Sequence, residues 1–276
     1  MNNGIESERG TVMMDAYRQI RQYIRHWHRS ANSKGHGVHS PFLFDFITRV
    51  LPDTGHGPQF SFPETYRKEL LSDRTGFSRV ELGGGSRLAS KTITVQSVAK
   101  RSLQTARWSR LLYRILHQYQ PGSVLELGTS FGVTTQYLAL AAPSQTVYTL
   151  EGDPFIARQA QERFRRDGLQ NVRLVEGNMD QTLAPTLANM QSVGMAWLDG
   201  NHRLEPTLRY FDQVLECVHN DSWVVLDDIY WSPEMQAAWH QIQANPRVRC
   251  TIDLFRLGIV LFRTEFHEPT HIRLRH

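Results

Sequence analysis

Five short apolar runs recur along the second half of the chain, each closing on an acid, a glycine or both: SVLELG (123–128), TVYTLEG (146–152), VRLVEG (172–177), GMAWLDG (194–200) and SWVVLDD (222–228). Between them lie stretches with apolar residues at helical spacing, such as FIARQAQERFRRDGL (155–169) and LEPTLRYFDQVLECV (204–218). Strands alternating with helices at this interval predict a parallel sheet covered on both faces. Right-handed crossovers set its winding. A further helical segment, PEMQAAWHQIQANP (233–246), is followed by VRCTIDLF (248–255) and LGIVLFR (257–263). These two runs are too close for another crossover, so they predict an antiparallel terminal hairpin.

The first 120 residues follow another pattern. MMDAYRQIRQYIRHWHRS (13–30) places Ile20, Tyr23, Ile24 and Trp27 on one helical face, with Arg18, Arg21, Arg25 and Arg29 mostly elsewhere. KGHGVHSPFLFDFITRVLPD (34–53) reads as a Gly- and His-rich turn leading into an apolar helix, and residues 54–105 show no clear period. The expected organisation is a basic, mainly helical extension or lid over 1–104 and a ligand-binding domain over 105–276.

Two glycine turns compete for a ligand. In VLELGTSFGVTT (124–135) a strand leads into Gly128-Thr129-Ser130-Phe131-Gly132 and a helix from Val133 through Ala141. The next strand ends at Glu151, beside Gly152, where a carboxylate can accept from both hydroxyls of a ribose. Upstream, VELGGGSR (80–87) runs into LASKTITVQSVAKRS with no helix start and no second strand ending in acid. The downstream copy is therefore expected to hold the cofactor. The upstream one is a tight turn, or a close approach that offers Arg87 to an anionic group. The downstream turn is G-x-x-x-G and not G-x-G-x-x-G, which steers away from a dinucleotide pyrophosphate. Glu126, two residues before it, suits a cationic amino-acid portion.

ELGTSFG and Glu151 resemble the first motif and the second-strand acid of class I S-adenosylmethionine-dependent methyltransferases. The resemblance implies an α/β, Rossmann-like fold: a mostly parallel seven-stranded sheet with an antiparallel C-terminal hairpin, here with a helical N-terminal extension. WLDGNH (197–202) and VVLDDIYW (224–231) resemble the small-molecule O-methyltransferase branch of catechol and cephalosporin-pathway type. That likeness implies a Mg²⁺ held by Asp199, Asp227 and Asp228, which would orient and acidify a substrate hydroxyl. His202 stands where catechol-type enzymes carry a lysine base. It is read either as the base or as a residue capping the next helix or touching the cofactor. The alternative readings are that Asp199 touches cofactor or substrate, and that the Asp227-Asp228 pair is one ligand and one helix N-cap, a role for which Ser232 competes. Asn178 and Met179, with Asp180 nearby, fall where the family lines the adenine pocket, or form a polar turn. The chain as a whole, with KGHGVHSPFLFDFI and the GGGS turn, resembles methyltransferase-like proteins of Bacteroidetes-type bacteria. His36, His39, Ser40 and Pro41 either line a lid or pack a turn.

Composition narrows the partners. Residues 1–120 hold 18 Lys/Arg against 9 Asp/Glu, and residues 121–276 hold 13 against 18, within a net charge of +4. The basic part can dock on the acidic part, or serve an anionic substrate or nucleic acid. Against nucleic-acid methylation, the chain has no D/N-P-P-Y/F tetrad, and neither Cys217 nor Cys250 follows a proline. Both cysteines read as buried thiols, and a cytoplasmic home is expected. No apolar run approaches the ~18 residues of a membrane span. A small-molecule substrate is expected, with oligomerisation open. A protein that binds S-adenosylmethionine without turnover is the remaining alternative.

Overall fold

The computed structural model describes residues 17–30, 40–53, 57–79 and 91–276. The upstream glycine turn with Arg87, and His36 and His39, lie outside them. Ahead of the main sheet run α1 (residues 17–29), α2 (Pro41–Asp45) with a π-turn over Phe46–Val50, α3 (Ser61–Ser72), β1 (Gly76–Arg79), β2 (Lys91–Thr94), α4 (Val95–Ser102) and α5 (Ala106–Tyr119). The alternating part follows as β3 (Val124–Leu127), α6 (Val133–Ala141), β4 (Val147–Glu151), α7 (Pro154–Arg166), β5 (Val172–Glu176), α8 (Met179–Asn189), β6 (Val193–Leu198), α9 (Leu204–Leu215) and β7 (Val218–Leu226). It closes with α10 (Pro233–Gln243), β8 (Cys250–Asp253), β9 (Gly258–Leu261) and β10 (Thr270–Arg273).

The main sheet is ordered β10-β8-β9-β7-β6-β3-β4-β5. Strands β3 to β7 pair in parallel, and β9 runs antiparallel to both β7 and β8. The seven predicted strands and their reversed hairpin are present. An eighth, β10, joins β8 in parallel at the edge. Its THIR segment is too short and too exposed to mark itself in the sequence. From β3 the chain first builds outward through β4 and β5, then returns to lay β6 on the other side of β3. The carboxyl ends of β3 and β6 therefore flank the switch point, where α/β sheets bind ligands. Every residue of β6 is buried, as a central strand covered on both faces requires.

The segments before residue 105 share this core. Ser40 caps α2 and Pro41 occupies its first turn; Leu43, Phe46, Ile47 and Val50 pack in one cluster with Trp197 and Trp223 of the sheet. Each such side chain contributes about 1.5–3 kcal/mol by leaving water. The strands flanking the upstream glycine copy, β1 and β2, pair antiparallel in a sheet of their own. Contrary to the expectation from sequence, α4 does have a helix start there, a capping box between Thr94 and Ser97. Phe77 of β1 stacks on Phe155 of α7 at 4.2 Å, which ties this segment to the second crossover, between β4 and β5. Of the two cysteines, Cys250 is buried but Cys217 is only half-buried. No helix of the described residues is long and apolar enough to cross a membrane.

Helix α1 departs from its hydrophobic pattern. Ile20 and Ile24 are 59% and 51% exposed, and Tyr23 and Trp27 are exposed beside them. The face it sets against the body is polar: Gln22 donates to Gln236 at 2.7 Å, and His26 Nε2 lies 3.0 Å from Asp253 Oδ1. Ser30 Oγ gives its proton to the His26 carbonyl and lies 3.1 Å from Nδ1. Tyr230 donates to Asp253 Oδ2 at 2.7 Å. Burial pushes the Asp253 carboxyl upward, but the hydrogen bonds from His26 and Tyr230 win and hold it below the ordinary 3.8. A depressed carboxylate stabilises the fold above its unfolded value, and this is lost as pH falls through the folded one. His26→Ala is expected to loosen α1, since leaving a buried hydrogen-bonding group without its partner costs about 1–3 kcal/mol. Limited proteolysis then cuts within 17–30 at protease levels that spare the wild type; an unchanged pattern would show that other contacts hold the helix.

Candidate active site at the switch point

The turn after β3 is built by close approaches. Gly128 has φ +98°, and a Cβ there would lie 2.4 Å from the Asp199 carbonyl oxygen. Gly132, at φ +80°, leaves room for the Phe164 ring, which a Cβ would meet at 2.5 Å. The amides of Gly128 and Thr129 both donate to the Leu150 carbonyl at 3.1 Å, pinning the turn across the sheet. Ser130, Asn201 and Asp228 adopt positive φ without being glycine. They sit just past β3, β6 and β7, and such strain gathers where a site over-determines the backbone. Gly128→Ala is expected to cost more than about 1 kcal/mol from backbone strain alone and to remove cofactor binding, read by thermal melting and by titration with S-adenosylhomocysteine.

Behind the turn lies a chain of hydroxyls. Thr135 Oγ1 and Thr149 Oγ1 donate to Glu126 Oε2 at 2.5 and 2.6 Å. Thr149 has thus spent its proton, so Thr129, 2.5 Å from it, donates to Thr149. Glu126 is fully buried, and its Oε1 has no hydrogen-bond partner among the described residues. Burial lifts its carboxyl to about 7 against the pull of the two threonines. Glu151 accepts the Ser130 amide at 2.8 Å and the Asp153 amide at 2.9 Å. Gly152 lies between it and Asp153, which caps α7. Ser102, ending α4, lies 2.7 Å from Ser130 through their hydroxyls, so the segment before residue 105 touches the glycine turn.

Asn178 caps α8 by accepting the Asp180 amide. Met179 reaches over Gly200, where a Cβ would meet its Sδ and Cε at 3.0 Å. Asp180 faces α9, accepting from Tyr210 at 2.5 Å and Arg209 at 2.9 Å. The bond from Tyr210 is the main reason its carboxyl sits below the ordinary value.

The second half of the site gathers the expected acids. His202 Nε2 stands 3.4 Å from Asp199 Oδ1. Burial and the nearby Asp227 charge raise Asp199 well above its ordinary value. Burial lowers His202, but the bond to Asp199 overcomes this and leaves it raised. Against burial and the Asp227 charge, contact with His202 pulls the Asp199 carboxyl back down. Neither capping alternative holds: Arg203 is the residue before α9, and Ser232 caps α10 through the Met235 amide. Arg256 was not anticipated. Its Nε and Nη2 each lie 3.2 Å from an oxygen of Asp227, and Nη2 is 3.6 Å from Asp228 Oδ1. It sits in the β8–β9 turn. That reversed hairpin returns its tip to the carboxyl end of the sheet, the one topological hint that a residue there belongs to the site.

The donor set distinguishes the two expected ligands. The orphaned Glu126 Oε1, the glycine turn and Glu151 fit S-adenosylmethionine. The acids do not fit Mg²⁺ as arranged, because Arg256 takes both oxygens of buried Asp227. No group of three or more His, Cys, Asp or Glu among the described residues is disposed to hold a metal ion.

Residues 125–229 match the family model described as a methyltransferase domain. That span, less than half of the chain, is similar to a methyltransferase domain. The solved structure of the S-adenosylhomocysteine-bound methyltransferase PaMTH1 from Podospora anserina is similar at TM-score 0.58 and 13% identity, over 81% of this chain and 97% of that one. The O-methyltransferase TomG from Streptomyces achromogenes, involved in tomaymycin synthesis and in complex with S-adenosylmethionine, is similar at 0.54 and 16%, over 80% and 95%. An O-methyltransferase from Bacillus cereus in complex with S-adenosylhomocysteine gives 0.53 and 13%, over 79% and 96%. At these identities the likeness establishes the fold. No curated protein matches the chain. The matched span runs from β3 to the turn after β7 and so includes Glu126, Glu151, Asp199 and His202.

Proposed function

We propose that the protein methylates an oxygen of a small hydroxylated or anionic molecule from S-adenosylmethionine. The observation that carries this is the placement of the glycine turn with Glu126 and Glu151 on one side of the switch point and of the Asp199–His202 pair on the other. When bound, the cofactor supplies a sulfonium methyl that passes to a nucleophile as the carbon–sulfur electrons return to sulfur. Glu126 Oε1 accepts from the cofactor's ammonium, and the Glu151 carboxylate, oriented by two amides, accepts from the ribose hydroxyls. His202 takes the proton of the acceptor hydroxyl, and Asp199 fixes the ring and stabilises the imidazolium. The Mg²⁺ assistance expected from the family likeness is set aside, since Arg256 already occupies Asp227.

The part before residue 105 serves as cover. Arg18 and Gln19 of α1 donate to the Trp231 carbonyl at 3.1 and 3.3 Å, three residues past Asp228. Within the first part Arg110 and Arg114 pair with Asp53 and Arg67 with Glu64, and Arg163 of the second part pairs with Glu69. Calorimetric titration of the whole chain with S-adenosylhomocysteine tests the proposal. Binding at about micromolar Kd, worth about 8 kcal/mol, is expected; absence of binding overturns it.

A further inference from the structure

We propose that Arg256 is the resident cation of this site, standing among Asp199, Asp227 and Asp228 where a divalent ion would have to sit. The inference rests on the methyltransferase reading, but its evidence is separate. Three carboxylates converge on the end of the sheet: Asp227 is 2% exposed, and Asp199 feels the charge of both Asp227 and Asp228. Buried carboxylates at this density need a positive partner. A metal could supply it, but this chain supplies a guanidinium from the β8–β9 turn, two donors on one carboxylate in the planar fork geometry that arginine favours. The turn itself is anchored: the Ile229 amide donates to the Arg256 carbonyl at 3.2 Å, and the Leu254 amide to the Leu257 carbonyl at 2.9 Å.

The same placement explains why the group is more than a plug. Its side chain is 37% exposed, and Nη1 has no partner among the described residues. A cation that neutralises two aspartates on one edge keeps a further donor edge for an acceptor oxygen, the task otherwise given to a metal. Unlike a metal, it cannot be stripped by a chelator, and its charge does not titrate below about pH 12. His202 therefore remains the group that moves the proton.

Mn²⁺ titrations of the full chain, followed by the electron paramagnetic resonance of the free ion, test the proposal alongside S-adenosylhomocysteine calorimetry. In wild type, S-adenosylhomocysteine affinity is expected to change less than about twofold between chelator and excess Mg²⁺, with no Mn²⁺ bound below about millimolar. Arg256→Ala uncovers Asp227. It is expected to keep its S-adenosylhomocysteine affinity, showing that it folds, and to gain Mn²⁺ binding at least about tenfold, which Asp227→Asn then removes. Micromolar Mn²⁺ binding by wild type overturns the inference without need of any variant. So does an Arg256→Ala protein that binds S-adenosylhomocysteine yet gains no ion. Failure of wild type to bind S-adenosylhomocysteine is a different result, and strikes the methyltransferase reading.

Discussion

Glu126→Gln is expected to lose cofactor affinity and gain stability at the same time. The loss follows from charge. A hydrogen bond to a charged group contributes about 1.5–3 kcal/mol, so an amide in place of the carboxylate lowers affinity for S-adenosylhomocysteine about 10- to 100-fold. The gain follows from burial. The wild-type carboxyl has an ordinary value of 4.5 and is lifted to about 7 in the fold. A raised acid helps the folded state below its unfolded value, and the help drains away as pH rises through the folded one. Above pH 7 the folded protein therefore carries a buried charge costing about 3 kcal/mol, from the 1.36 kcal/mol that each pKa unit represents. The neutral amide removes that cost, less whatever its own NH₂ lacks in partners. Urea unfolding at pH 5 and pH 8.5 checks this: the wild type should lose stability between the two, and the variant should lose about 3 kcal/mol less. An ammonium bound at Oε1 favours the carboxylate and expels the proton, so wild-type binding should tighten as pH rises through 7. The variant's binding should be flat. Equal affinity in both proteins would remove Glu126 from the cofactor site.

How far the sequence could be read depended on whether a feature was local. The β3 turn was legible because its glycines, its acid and the following helix lie within a dozen residues, and Gly128 is demanded by a backbone approach the motif encodes. The strand-end acids were legible for the same reason: parallel topology puts the ends of β6 and β7 side by side. Arg256 was not, because its partner lies 29 positions away and the sequence around it, LFRLG, reads as an ordinary hairpin turn. The magnesium expectation took no account of it, since the guanidinium that pairs with Asp227 comes from a turn that the strand-end pattern does not include. Helix α1 misled in the other direction. Its apolar stripe is real, yet the helix docks through Gln22 and His26, because a buried aspartate, Asp253, offers a polar socket that periodicity does not register. Asp180 shows the same limit, since the Tyr210 and Arg209 that claim it come from the next crossover helix.

His202→Gln is expected to lower methyl transfer about 10²- to 10⁴-fold, the usual contribution of a positioned base, with KM for S-adenosylmethionine nearly unchanged. The glutamine keeps a hydrogen-bonding end of similar reach but cannot take a proton, so the effect belongs to kcat. Measurement requires an acceptor that supports turnover; formation of labelled product from a panel of phenols and hydroxy acids supplies one. The pH profile separates a base from a packing residue. In wild type, contact with Asp199 holds the imidazole above the ordinary 6.5, so the neutral form that accepts a proton gains population only above that value, and the rate should climb there. Asp199→Asn removes the partner and leaves burial, which favours the neutral ring. Its profile should shift to lower pH even as its maximum falls, because the asparagine no longer stabilises the imidazolium formed during transfer. A structural role would lower the rate without moving the midpoint. If the His202→Gln rate retains both the wild-type magnitude and the wild-type pH dependence, the acceptor ionises before it reaches the site, and Arg256, with its unused donor edge, becomes the group that holds it.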